Sequence, residues 1–218
     1  FTRNTGSLTS RLLSNDATLG WARGPVSLQV RTLKWQTLQD PTALITPPYD
    51  RLPQLAARYS ANRLPGGLVA GVEADYTHFR SQASLTGQPN AERSFVAAQL
   101  SRPWLTPGIF LTPKLQLHTR AYQFDAPLAD GRRSAHVTVP TFSLDSGLVL
   151  ERETGLFGRD LVQTLEPRAF YVRTPYVAQN FLPKYDTGGT DFNFATIFTE
   201  NAFNGNDRIA DNNLLTLG

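Results

Sequence analysis

The stretch Ile109–Phe124, IFLTPKLQLHTRAYQF, sets the fold. Ile109, Leu111, Pro113, Leu115, Leu117 and Ala121 share one parity, and Thr112, Lys114, Gln116, His118 and Arg120 share the other. Successive side chains of a strand point to opposite faces, so this is a single strand with one greasy face and one charged face. It is also about three times as long as the usual five or six residues of a globular strand.

The same split recurs on both sides. Leu68, Ala70, Val72, Ala74 and Tyr76 oppose Gly71, Glu73, Asp75 and Thr77, while Leu55, Ala57, Tyr59 and Ala61 oppose Gln54, Arg58, Ser60 and Asn62. Phe142, Leu144, Leu148 and Leu150 oppose Ser143, Asp145 and Glu151. Weaker alternation runs through Ser7–Leu13, Asp16–Ala22, Pro25–Leu38 and Arg93–Trp104, which predicts about ten strands, the last one cut short, and no long helix.

A soluble sandwich also has one apolar and one wet face, so alternation alone leaves the environment open. Loop lengths separate the cases. Long connections (39–52, 81–92, 125–137, 174–211) take turns with short ones (RLPGG, LTPG, ETGLFGR). Short turns on one rim and long loops on the other are the mark of an outer-membrane barrel, with the short side periplasmic. The expectation is an all-β fold: an antiparallel transmembrane β-barrel of outer-membrane type, of which residues 1–218 form part of a single domain with a long extracellular loop at about 174–211.

Composition agrees. Of 218 residues, 40% are hydrophobic and 18% charged, with 13 Phe, 7 Tyr and 3 Trp, which is a folded and sheet-leaning balance. A formal charge of +3 spread along the chain does not suggest nucleic acid. The absence of cysteine removes disulfides, thiolate metal sites and Cys nucleophiles together. No apolar run is long enough for a membrane-crossing helix, although strands need only about 9–11 residues. Neither end reads as a natural terminus: Phe1 opens without a leader pattern, and NNLLTLG stops inside strand-like sequence.

Glu166-Pro167-Arg168 interrupts another run, Asp160–Tyr176. Glu166 and Arg168 share a parity, and Arg in the lipid face costs about 2–4 kcal/mol at the midplane, so that parity is assigned to the lumen. Leu165, Pro167, Ala169 and Tyr171 then face lipid, with Pro167 giving up one ladder bond at a bulge. Tyr76, Phe79, Tyr122, Phe124, Phe170, Tyr171 and Tyr176 lie at strand ends leading into long loops, and Trp104 beside a short turn, as interfacial girdles would.

QTLEPRAFYVRTPY, followed by LPKYDTGGTDFNFATIFTENAFNGNDRIADNN, resembles the LptD family of outer-membrane lipopolysaccharide-assembly proteins. The resemblance is specific over Gln163–Leu217, chiefly in Gln163–Arg168 and Asp207-Arg208-Ile209, and looser back to about Tyr49. Ala210 and Asn212 depart from the family's usual glycine and alanine. The resemblance implies a very large barrel, of which this chain is a middle segment. It also implies an LptE-like lipoprotein plug in the lumen, a periplasmic LptA-like bridge that delivers lipopolysaccharide, and a lateral exit between first and last strands into the outer-membrane lipids. The cysteines that many family members carry are absent.

Catalytic and metal readings are weak. Asp186-Thr187-Gly188 is the aspartic-protease triplet, but there is no second copy to share a proton, and a turn is the better reading. His78, His118 and His136 stand apart without zinc-ligand spacing. NGNDRIADNN is oxygen-rich yet misses the EF-hand pattern. No enzyme, cofactor or metal is expected. Function then rests on surfaces: a lumen wall of both signs made by Arg58, Glu73, Asp75, Lys114, Arg120, Asp145, Glu151, Glu166 and Arg168. DFNFATIFTENAF reads as a short amphipathic helix capped by Asp191, and the loop's Phe192, Phe194, Ile197, Phe198 and Phe203 are candidates to plug the barrel mouth. Lipopolysaccharide insertion is the leading function; a generic porin or uptake channel and a soluble β-sandwich binding module are the alternatives.

Overall fold

A computed structural model describes residues 11–156, 159–191, 193, 194 and 196–218. Twelve strands account for most of the described chain. They are β1 (Leu12–Arg23), β2 (Val26–Thr37), β3 (Asp50–Leu64), β4 (Leu68–Arg80), β5 (Ala91–Ser101), β6 (Trp104–Thr106), β7 (Ile109–Phe124), β8 (Ser134–Leu148), β9 (Leu150–Leu156), β10 (Arg159–Leu165), β11 (Arg168–Thr174) and β12 (Asn212–Leu217). The one α-helix among described residues is a single turn, Ala83–Thr86.

Ten strands pair in the order β1-β2-β3-β4-β5-β7-β8-β11-β12, with β6 beside β7, and every pairing is antiparallel. The long period-two run Ile109–Phe124 is β7, registered on β8 from Ile109↔Leu148 to Gln123↔Ser134. Among the described residues each outermost strand has a partner on one side only: β1 pairs β2, β12 pairs β11, and they do not pair each other. The expected strand around Leu8 lies outside the described residues. Turns at 24–25, 65–67 and 107–108 share one rim, and the connections 38–49, 81–90, 125–133 and 175–211 share the other.

The Asp160–Tyr176 run is not one strand. Glu166 and Pro167 lie between β10 and β11, opposite a matching break at Val149 between β8 and β9. Leu148 N donates to Pro167 O at 3.0 Å and Val149 N to Gly108 O at 2.9 Å, so the missing proline N–H falls where the ladder is already interrupted. Beyond it β9 and β10, among the described residues, pair only with each other, as a ribbon from Leu150↔Leu165 outward.

Parity sorts the two faces. Leu115, Leu117, Leu148 and Leu150 are exposed, whereas the opposite face carries the long loop 175–211. Under that loop sits a buried cluster that includes Tyr49, Phe79, Tyr122, Phe124, Tyr185 and Ile209. Phe79 stacks on Tyr185 with ring centroids 4.8 Å apart, and Tyr49 meets Tyr185 edge-on at 4.9 Å. This corrects the girdle assignment for four residues. Phe79, Tyr122, Phe124 and Phe170 are buried because their parity is that of Asp75, Arg120 and Arg168; Tyr76 and Tyr171 are half-buried, and Tyr176 and Trp104 are exposed.

Candidate functional site

Arg93 is the centre. Its place on β5, directly across from Thr77 of β4 and Tyr122 of β7, aims it to the loop-covered face, where it is 0% exposed. Its Nη1 donates to Asp186 Oδ1 and Asp207 Oδ1, both at 2.7 Å, and its Nη2 to Asp186 Oδ2 at 2.7 Å and Asp75 Oδ1 at 3.2 Å. Phe79 closes the assembly, its ring 4.8 Å from the guanidinium carbon. Two of the three carboxylates come from the loop, so one wall arginine holds both of its arms.

Asp207 is the loop's own knot. Its Oδ1 also accepts Tyr122 OH at 2.8 Å, while its Oδ2 accepts the backbone N–H groups of Tyr185 at 2.6 Å and Asp186 at 2.8 Å. Four donors on two oxygens fill the acceptor sites of Asp207, and the Asp186-Thr187-Gly188 triplet is tied into the same knot: Asp186 Oδ1 accepts Asn206 N at 3.1 Å and Thr187 Oγ1 accepts Asp207 N at 2.9 Å. Gly205, at φ +69°, passes so close that a Cβ would lie 2.2 Å from Asp186 O. Burial alone would raise the Asp186 carboxyl, but the Arg93 guanidinium overrides it and holds the group at about 2. Burial pushes Asp207 up; Arg93 opposes the rise and the neighbouring Asp186 adds to it. Burial likewise raises the Tyr185 phenol.

Further points tie the loop to the same face. Arg120, also 0% exposed, donates to Asn206 O at 3.2 Å and to Gln179 Oε1, whose amide reaches Ile209 O at 3.0 Å. Lys114 pairs with Glu200, which accepts Ser143 Oγ at 3.1 Å. Arg168 is bidentate to Asp145 at 2.8 and 2.7 Å and lies 4.4 Å from the Phe198 ring centre, while Thr216 Oγ1 donates to Ile197 O at 3.2 Å. The loop therefore runs along the wall from Thr174 down to the level of Arg168 and Gly218.

Not every candidate joins it. Arg58 and Glu73 pair with each other at 3.0 Å beside the loop, and Glu151 in the β9–β10 ribbon and Glu166 in the strand break are exposed, away from it. Ile197, Phe198 and Phe203 are half-buried, Phe194 is 80% exposed, and Phe192 lies outside the described residues. Among the described residues the expected amphipathic helix does not form: those of 193–198 make bends and turns, in which Thr196 Oγ1 accepts Asn193 N at 3.0 Å and donates to Asp191 O at 2.6 Å. The main chain closes a turn, with Thr196 N at 3.0 Å and Ile197 N at 3.1 Å both donating to Asn193 O, and the Thr196 hydroxyl adds local side-chain bonds to it. Among the described residues no group of three or more His, Asp or Glu could hold a metal ion.

Sequence reasoning missed Arg93 as the hub and Asp186 and Asp207 as its loop partners, and it missed Gln179 as the partner of Arg120. A signal existed: Ala91, Arg93 and Phe95 share a parity that places one cation in an otherwise apolar inward row, and a lone inward charge demands partners.

Long antiparallel strands in an open sheet, apolar on one face and polar under a folded-back loop on the other, define the wall of an outer-membrane-type transmembrane β-barrel. The family model of LptD, LPS transport system D, matches residues 1–218, and the chain belongs to that family. Its place is the outer membrane of Gram-negative bacteria. Among similar proteins, the LPS-assembly protein LptD of Acidovorax sp. (strain JS42) is 65% identical over 97% of this chain and 26% of its own length. That of Polaromonas sp. (strain JS666 / ATCC BAA-500) is 63% identical over 97% and 26%, and that of Ralstonia nicotianae 42% over 99% and 27%. The chain spans about a quarter of the length of these relatives.

Proposed function

We propose that this chain is a stretch of barrel wall in the translocon that delivers lipopolysaccharide to the outer leaflet, and that the loop-covered face is its lumen. The full barrel would enclose an LptE-like lipoprotein plug and receive its glycolipid from an LptA-like periplasmic bridge. Loop 175–211, extracellular at its ends, would be an internal plug that keeps small solutes out. The reading is a transport one, without bond-making chemistry.

One observation carries it: in a chain of this family, a loop of this length is pinned along the charged wall by a fully buried arginine that binds three carboxylates. A loop that only decorated the cell surface would have no use for Arg93 or for burying Tyr185 and Ile209. A generic porin would also leave its lumen wall to water. Deleting residues 191–203 in the full-length protein should raise outer-membrane permeability to large antibiotics while barrel level and lipopolysaccharide export persist. Unchanged permeability with normal assembly would show that the loop is not a plug.

A further inference from the structure

The loop does not cover the whole polar face. Along its Gly205–Asn206 edge two cavities of about 350 and 370 Å³ meet, sharing Arg58, Glu73, Gly205 and Asn206, so that a groove runs between loop and wall. Its wall is built of amides and paired charges. Gln116 Nε2 donates to Gln99 Oε1 at 3.2 Å, and Gln54 Nε2 to Asp75 Oδ2 at 2.8 Å. Gly71 makes room for the Gln99 amide, since a Cβ there would stand 2.9 Å from its Nε2.

Two groups on this groove lack the partners their chemistry wants. Arg51 has a distant contact to Gln54 Oε1, 3.4 Å, and no carboxylate within ion-pair range among the described residues, whereas its neighbours Arg31 and Arg58 are paired with Asp16 and Glu73. His118 Nδ1 is buried against the cavity with no hydrogen-bond partner among the described residues. A groove with open donors and acceptors, mixed charge and one unmatched guanidinium suits a polyhydroxylated ligand with a single anionic group better than a bare anion, which the carboxylates of Glu73 and Asp75 would repel.

We propose that this groove is a track for the sugar portion of a phosphorylated glycolipid. Hydroxyls exchange among Gln99, Gln116, His118 and the Arg58–Glu73 pair, and a phosphate or sugar carboxylate is met by Arg51. The proposal rests on the transport reading above and names where on the wall the headgroup travels. Many modest, exchangeable contacts are what a conducting path needs, because a ligand must leave as readily as it enters.

The test uses the full-length protein assembled in cells. A photo-cross-linking amino acid at Gln99 or Gln116 should capture lipopolysaccharide, and the same residue at Leu100 or Leu117, one position along and on the opposite face, should not capture its sugars. With purified full-length protein in detergent, Arg51→Met should weaken binding of the acyl-free phosphorylated oligosaccharide about tenfold, the loss of one charge-assisted contact, and Arg51→Lys should restore part of it. Binding of the dephosphorylated oligosaccharide should be unaffected by Arg51→Met; an equal loss for both sugars would overturn the Arg51 assignment. Capture of protein alone at Gln99 and Gln116, in cells whose surface lipopolysaccharide depends on this protein, would make the groove a seat for a protein partner and overturn the proposal while sparing the transport reading. Surface lipopolysaccharide unchanged on depletion of the protein would instead remove the transport reading itself.

Discussion

Arg93→Met keeps the length of the side chain and deletes its charge and its donors. Four hydrogen bonds disappear, three of them 2.7 Å long, and Asp75, Asp186 and Asp207 are left close together without the cation between them. Removing one member of a buried ion pair costs about 3–5 kcal/mol, mostly because the remaining charge stays unpaired in a poor solvent. Here the penalty has an outlet, because two of the carboxylates belong to the loop and can regain water if it lifts. The loss should appear as loop undocking rather than barrel unfolding. At 1.4 kcal/mol per factor of ten, the docked state should be disfavoured by roughly 10² to 10³·⁵. Hydrogen exchange in the full-length protein reads this directly at the Tyr185 and Asp186 amides, whose acceptor is Asp207 Oδ2. Heat-modifiable gel mobility reports whether the barrel itself is formed. Adding Asp186→Asn and Asp207→Asn to Arg93→Met should recover part of the protection. Exchange in Arg93→Met as slow as in the parent, in a folded barrel, would refute the view that this arginine clamps the loop.

Gly205→Ala places a methyl group against Asp186 O in a left-handed backbone, which costs roughly 1–2 kcal/mol before the clash is relieved, so the same amides should exchange at least about tenfold faster. Gly155→Ala in the ribbon, where no atom lies within 4 Å of the added Cβ, should leave them unchanged, and equal effects from both would refute the close-approach account. Leu117→Arg, on the exposed apolar face, should destabilise the full-length barrel by about 2–4 kcal/mol in reversible unfolding from lipid, whereas Gln116→Arg on the opposite face should be tolerated. Similar tolerance at both positions would show that the lipid and lumen faces are misassigned.

How much of this was readable beforehand differs by level. Alternation of parity along β7, β4 and β3 is a local property, so the all-β fold, a sheet of about ten strands and the two faces followed from residues alone, whereas the separate β9–β10 ribbon did not. The sorting of short turns and long loops onto opposite rims follows from the same one-dimensional pattern, because antiparallel neighbours put alternate connections on alternate rims. The strand break at Glu166-Pro167 was half legible: proline marks an interrupted ladder, but the matching gap at Val149 belongs to the partner strand. What only the tertiary structure decided is which buried charges meet. Arg93 lies 93 residues from Asp186 and 114 from Asp207, and nothing periodic links such separations. Phe79 and Tyr122 show the same limit, since a strand-end aromatic facing lipid and one facing a loop core have the same sequence neighbourhood. The turns at 193–198 show it once more: a helical period was present, yet the described residues there form turns bonded to the wall, where Thr216 Oγ1 donates to Ile197 O. Side-chain alternation is fixed by the chain's own stereochemistry, whereas the pairing of a loop with a wall depends on where the sheet carries residues distant in sequence, which is why the barrel wall was legible and its clamp was not.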